Sequence, residues 1–302
     1  MKRLTCPLAL LLLLLISSPI QAQDTEPRRW THLPTGINVI GLGLNSTTGD
    51  ILFDPVLQLE DVESEYWTAG LVYMRTFSMF GKTARFDTTQ PYSTARWDGL
   101  LEGEPASTRR RGFMDPTFRL SILLYGAPPL SRREFAQAEK SNTVVGAAVA
   151  VRAPFGEYQS ERLLNLGHNR WTIRPQLGVT HTRNKWTFEL TGSFFWYSDN
   201  DNFWGGSHLE NELLYALQGH LIDNFRPGVW ASFSTAYGTG AIATVDDDEK
   251  PTTKVENWLN ALSFGVPINR QQGLKFTWIR YDTQNSTGAN LDSYTVAWTY
   301  MF

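Results

Sequence analysis

The chain has 302 residues, of which 27 are basic and 30 acidic, for a formal charge of −3; 13% of residues are aromatic, with 11 tryptophans, and the mean hydropathy is −0.28. The acidic balance argues against a nucleic-acid binder. The single cysteine, Cys6, leaves no disulfide framework and no thiolate metal site. Past the first twenty residues no apolar run reaches the length of a membrane helix, the longest being Val144 to Val151.

Met1 to Ala22 reads as a secretory signal peptide. A basic start, Met1-Lys2-Arg3, precedes a leucine-rich run from Leu8 to Ile16, which Ser17, Ser18 and Pro19 break, and Ala22 offers a small residue for cleavage. Cys6 lies before the apolar run and leaves with it. Removing Lys2 and Arg3 leaves 25 basic against 30 acidic residues, a formal charge of −5. The expected organisation is a signal peptide at 1–22, a periplasmic N-terminal extension at 23–36 and a transmembrane β-barrel at 37–302.

The barrel is expected from period-two alternation. In Trp186 to Tyr197 one parity carries Trp186, Phe188, Leu190, Phe194 and Trp196, while the other carries Thr187, Glu189, Thr191 and Ser193. The first face suits lipid and the second a wet or packed lumen. Trp171, Ile173, Pro175, Leu177 and Val179 share a face in the strand before, where Pro175, which has no N–H, predicts a local bulge. The last strand places Tyr294, Val296, Trp298, Tyr300 and Phe302 on one side. Tyr300 and Phe302 have the form of the signal read by the barrel-assembly machinery of outer membranes.

Twelve antiparallel up-and-down strands are expected, with ten and fourteen as alternatives: 37–45, 65–78, 82–93, 112–125, 141–154, 168–182, 185–198, 210–223, 227–237, 254–267, 272–282 and 291–302. Short turns fall at Phe80-Gly81-Lys82, Arg183-Asn184-Lys185, Arg226-Pro227-Gly228 and Asn269 to Gly273, and long loops at 46–64, 94–111, 155–167, 199–209, 238–253 and 283–290. Short periplasmic turns alternating with long outer loops are the pattern of an outer-membrane barrel. Residues 126–140 break the alternation, and Ser131 to Lys140 suit a short helix. A secreted β-sandwich also alternates. The aromatic face that recurs on successive strands, with Trp171, Trp258 and Trp298 at strand ends, favours the barrel.

Several segments resemble the meta-pathway phenol-degradation proteins, a bacterial family often labelled simply as transporters. They are His32-Leu33-Pro34, Asn38 to Gly43, Gly49 to Pro55, Pro91-Tyr92 with Ala95-Arg96-Trp97, Arg110 to Phe113 with Asp115-Pro116, Leu164 to Gly167, Ile173 to Gln176, and Glu189 to Ser193. The resemblance spans nearly the whole chain after the signal peptide. It implies an outer-membrane barrel encoded among aromatic-degradation or other accessory genes, transfers no catalytic residue and leaves the substrate open; the expected function is passive uptake of small aromatic or hydrophobic solutes, with no cofactor.

The polar parity of the expected strands collects a candidate lumen lining of Arg75, Arg85, Asp87, Arg119, Arg152, Arg174, Glu189 and Lys275. Arg75 and Arg85, about equally far from the turn near Phe80, are expected to face each other. A surplus of positive charge on a low-dielectric wall favours anions, such as the carboxylates of aromatic acids. Charges avoid lipid whatever the function, so ion pairs that merely hold the barrel together account for the same residues. Gly146, Ala148 and Ala150, with Gly41 and Gly43, leave inward room for a solute or for a plug made by 23–36. Clustered carboxylates in 46–64 and in Asp246 to Glu249 suit solvated loops better than Ca²⁺ sites, lacking fixed ligand spacing. Arg109-Arg110-Arg111 at the outer rim suits the phosphates of lipopolysaccharide. Neither the five histidines nor any Gly-x-Ser-x-Gly element suggests a serine hydrolase, so an outer-membrane lipid hydrolase stands behind a closed structural barrel as an alternative to transport. The expected partners are outer-membrane lipid and lipopolysaccharide, the assembly machinery and a small-molecule solute, for a monomer that takes no metal and no nucleic acid.

Overall fold

A computed structural model describes residues 25–54 and 57–302; the signal peptide and its cleavage point lie outside them. The wall begins with β1 (Asn38–Leu52), β2 (Leu59–Met79), β3 (Lys82–Leu101), β4 (Glu104–Phe113) and β5 (Thr117–Tyr125). After helix α1 (Arg132–Gln137) come β6 (Thr143–Arg152), β7 (Thr172–Arg183), β8 (Trp186–Tyr197), β9 (Asn200–Phe203) and β10 (Ser207–Asn211). The chain continues through β11 (Leu214–Arg226), β12 (Val229–Gly240), β13 (Ala243–Val245), β14 (Asp248–Lys250), β15 (Val255–Pro267), β16 (Gln272–Thr283) and β17 (Gly288–Met301). β4 and β5 both pair with β3 and act as one strand broken at Met114–Pro116, so the wall has twelve strands. All pairings are antiparallel, and β1 pairs with both β2 and β17, which closes the barrel. Closure removes the free edges that an open sheet would present to lipid.

The burial pattern is inverted relative to a soluble sandwich. Leu71, Leu177, Phe188, Leu217, Phe233 and Val296 are exposed, while Thr76, Ser121, Gln176, Thr191, Gln218 and Ser234 are buried. Apolar side chains outside and polar ones inside are what a bilayer selects, because charge costs several kcal/mol at its midplane.

The turns are tighter than the sequence suggests, and this has one consequence for the lumen. Phe80 and Gly81, both at positive φ, form a two-residue hairpin turn, so Met79 pairs with Lys82 and Thr76 with Arg85. A three-residue turn centred on Phe80 would have set Arg75 against Arg85. The actual register is shifted by one, and a shift of one moves a side chain to the opposite face.

The loops also differ from expectation. Much of the expected loops 46–64 and 94–111 is strand; β1–β2 and β3–β4 continue outward in register, with Ile51 opposite Val62 and Leu101 opposite Glu104. Their outward residues are charged because they meet water rather than lipid, which hides them from a hydropathy pattern. Residues 199–209 and 238–253 fold into a second sheet of order β14-β13-β10-β9, with Phe203, Leu209, Ala243 and Val245 as its core. The long connection at 126–140 does contain a short helix, α1, begun by a capping box in which Ser131 and Glu134 satisfy each other's backbone N–H groups. The bulge expected at Pro175 does not form. The β7–β8 ladder lapses at Arg174 and Pro175 and resumes in the same register at Gln176.

Candidate functional site: the barrel lumen

The inward row of each strand can be read from the pairing. β5 presents Arg119 and Ser121, β6 presents Gly146, Ala148 and Ala150, β7 presents Arg174, Gln176 and Gly178, and β8 presents Glu189 and Thr191. Gly146 and Gly178 are direct cross-strand neighbours. Together they leave a slot in the wall that two side chains would have filled.

The slot is filled by the chain's own N-terminal segment. Trp30 is fully buried, and a Cβ on Gly146 or Gly178 would lie 2.3 or 2.0 Å from its ring. Its Nε1 donates to Thr191 Oγ1 at 2.8 Å, and Leu123, Val144 and Ala148 pack around it. The preceding residues are held by charge. The backbone N–H groups of Arg29 and Trp30 both point at the Glu189 carboxylate, at 3.0 and 3.5 Å. The Arg29 guanidinium reaches Asp87 at 3.1 Å and Glu26 at 3.0 Å, and Arg119 reaches Glu26 at 2.7 Å. Beyond Trp30 the segment leaves along the periplasmic rim, where Thr76 Oγ1 donates to Pro34 O and Thr35 N–H to Leu130 O. The stretch read from sequence as a periplasmic extension thus has residues 25–30 inside the lumen.

Of the expected lumen residues, Arg85, Asp87, Arg119, Arg152, Arg174, Glu189 and Lys275 all face inward. Arg75 does not. It is exposed, shares its parity with Trp67 and Leu71, and lies opposite Phe86, so it belongs to the outer face. Arg85 pairs with Asp87 at 3.3 Å. Arg174 donates to Ser193 Oγ at 3.2 Å and lies over the Phe195 ring. Arg119, Arg152 and Lys275 converge with Glu26, Asp87 and Asp115 on a cavity of about 330 Å³, whose remaining wall includes Thr89, Thr277 and Tyr281.

Above this charged level the inward surface becomes apolar. Val62, Tyr66, Trp97, Met114, Leu166 and Leu291 form one buried cluster, against which Leu163 and Tyr281 pack. Asp115 sits where the charged and apolar levels meet, in the break between β4 and β5. It accepts from Gly156 N at 2.9 Å and from His168 N at 2.8 Å, and its Oδ2 lies 2.8 Å from His168 Nδ1. Burial pushes His168 down, more than Asp115 raises it. The pair fixes the 153–171 loop across the outer end of the lumen.

The other histidines make local contacts in separate places. His32 Nε2 lies 2.9 Å from Pro128 O, and outward-facing His181 contacts Thr143 Oγ1. His208 bridges Asp201 and Glu210 in the outer sheet; these acceptors raise its pKa. His220 contacts Ser234 Oγ at 2.8 Å on the inner wall, but Ser234 is wholly buried. Among the described residues, one group with metal-ligand spacing occurs, Asp199, His208 and Glu210, and Asp199 and Glu210 lie exposed at the outer surface. Tyr300 and Phe302 stack with Trp298 on the outer wall at the β1–β17 seam.

A closed wall of antiparallel strands, apolar outside and polar inside, with short turns at one end and a folded cap at the other, defines an outer-membrane β-barrel of the channel type. The sequence matches the family described as "Putative MetA-pathway of phenol degradation" over residues 54–295, and the chain belongs to that family. Among solved structures it is similar to an outer membrane channel from Pseudomonas putida F1, at 19% identity and a TM-score of 0.77 over 92% of this chain and 100% of the other. Weaker likeness extends to the transport unit of the autotransporter AIDA-I from Escherichia coli, at 8% identity and 0.54 over 95% of each chain. The β domain of the Bordetella autotransporter BrkA gives 9% and 0.51 over 89% of this chain and 100% of the other. No curated protein matches the sequence.

Proposed function

We propose that the protein is a passive channel of the outer membrane for small aromatic or hydrophobic solutes that carry a carboxylate. The observation that carries this reading is the vertical order of the lumen. An apolar outer level around Tyr66 and Trp97 lies above a charged level where Arg119, Arg152 and Lys275 line the cavity together with Glu26, Asp87 and Asp115. A ring entering from outside meets aromatic and aliphatic side chains first, and its carboxylate then meets cations in a low-dielectric wall that strengthens their pull. The family's description and the similarity to an outer membrane channel support the same reading.

A second reading, a closed structural barrel, is favoured by Trp30, which fills the slot between Gly146 and Gly178 and narrows the periplasmic half. Ion selectivity separates the two. In a salt gradient across a planar bilayer, Arg152→Ala and Lys275→Ala should each lower the preference for anions by about twofold, because each removes one of the charges that focus the field. Unchanged reversal potentials in both variants would remove the electrostatic part of the proposal, and absence of current in the parent would favour the closed barrel.

A further inference from the structure

The outward face of the β2–β3–β4 wall carries rows of residues set by the ladder. Nearest the bilayer, Tyr92 lies opposite Phe113 and their rings meet edge to face at 5.2 Å. One step farther out, Trp67, Thr94 and Arg111 are neighbours, and the next step brings Glu65, Arg96 and Arg109 together. Arg96, Arg109, Arg111, Trp67, Tyr92 and Phe113 are all exposed. Arg110, of alternate parity, turns inward to Thr108 and is only partly exposed.

This arrangement carries a surplus of positive charge. Arg96 and Arg109 are directly opposed, and like charges in that position destabilise a ladder. Arg96 is drawn aside by Asp98, with Nε–Oδ2 and Nη2–Oδ1 distances of 2.7 Å, and Glu65 accepts from the Trp67 indole at 2.8 Å. Asp98 also attracts Arg109, so the two carboxylates Asp98 and Glu65 stand beside three guanidinium groups. The two residues on the same face are about 7 Å apart along the strand, a span that one phosphate and its sugar can bridge. The level matters equally. An aromatic belt marks the interface of hydrocarbon and headgroup, and Arg111 stands one step beyond it, at the long-loop end that faces the outer leaflet.

We propose that Arg109 and Arg111, with Arg96 and Thr94 beside them, form a binding surface for the phosphorylated glycolipid of the outer leaflet, with Trp67 and Phe113 against its acyl and sugar portions. Guanidinium forks suit phosphate oxygens better than ammonium groups do.

The test uses the mature protein refolded in detergent, with folding verified by heat-modifiable gel mobility. Native mass spectrometry then measures retention of bisphosphorylated lipid A, of the same glycolipid without phosphates, and of phosphatidylglycerol. Bisphosphorylated lipid A should bind most tightly, and the double variant Arg109→Ala, Arg111→Ala should weaken it about tenfold. Arg75→Ala, which removes an outward arginine at the opposite end of the wall, should leave it unchanged. If the double alanine variant fails to fold, Arg109→Gln with Arg111→Gln keeps the side-chain length and tests the same charges. Equal retention of lipid A by parent and folded double variant would overturn the proposal. So would equal binding of the dephosphorylated form, or binding of phosphatidylglycerol as tight and as dependent on Arg109 and Arg111.

Discussion

Trp30 is the residue on which the state of the lumen depends. Its ring occupies space that only the absence of side chains at Gly146 and Gly178 provides, so Gly178→Val cannot coexist with the ring in its present place. Single-channel conductance should rise in both Gly178→Val and Trp30→Ala; identical conductance in parent and variants would mean that the ring does not limit the path. The sequence exposed the small inward residues of β6, because strand parity is legible, but it did not mark Trp30 as their occupant. That contact joins positions more than a hundred residues apart, and no local pattern carries it. Arg75 failed for a local reason, since one residue more or less in the Phe80-Gly81 turn decides which face it takes. The Asp115–His168 pair was not legible either, although Asp115-Pro116 stood out within the family resemblance. His168 titrates lower in the folded protein than when released, so the released state binds more protons and the tie is stronger at higher pH. It is fully present above the ordinary histidine pKa of about 6.5 and is lost as pH falls through the lowered value. Hydrogen exchange of residues 153–171, corrected for intrinsic rates, should therefore be faster at pH 5 than at pH 8, and His168→Gln, which removes the group that titrates in this range, should reduce the difference. Equal protection at both pH values in the parent would contradict the role given to the pair.

Among the elements, the β1–β17 seam determines whether the wall is a barrel or an open sheet. Its periplasmic end is sealed by reciprocal backbone bonds between Asn38 and Phe302. Its outer end passes through Gly49, at φ +143°, where a Cβ would lie 2.2 Å from the carbonyl oxygen of Asn290. Gly49→Ala should cost about 1–3 kcal/mol in backbone strain, read as a lower midpoint for loss of the heat-modifiable folded band, and a midpoint equal to the parent's would show that the seam gives way without cost. The twelve transmembrane segments were legible because lipid forces apolar residues onto every second position. The outer parts of β1 to β4 were not, because outside the bilayer both faces tolerate polar residues and the alternation that identifies a strand fades. β9, β10, β13 and β14 were missed for a related reason. They are three to five residues long, and their core is assembled from two separate loops.

At the scale of the whole molecule the barrel separates three environments. Its outside is apolar with an aromatic belt, its outer mouth is apolar and capped by a small sheet, and its middle is charged, with the N-terminal segment bound by Glu26 and Arg29 to the wall. The inward row of basic residues was legible in the sequence, while its acidic complement from Glu26 was not, because that residue lies outside the strands. The ion pairs among Arg29, Asp87, Glu26 and Arg119 show that part of the charge holds the segment in place, as any barrel with inward charges requires. Arg152 and Lys275, on the cavity wall, are where solute selectivity is assigned. The central claim, a conducting path that takes aromatic carboxylates, is tested most directly by single-channel recording of the refolded protein in a planar bilayer, with and without benzoate. The account predicts discrete conductance steps that benzoate reduces in a concentration-dependent way, and a smaller reduction in Arg152→Ala. A correctly folded barrel that stays silent in the parent and in Trp30→Ala alike would contradict it.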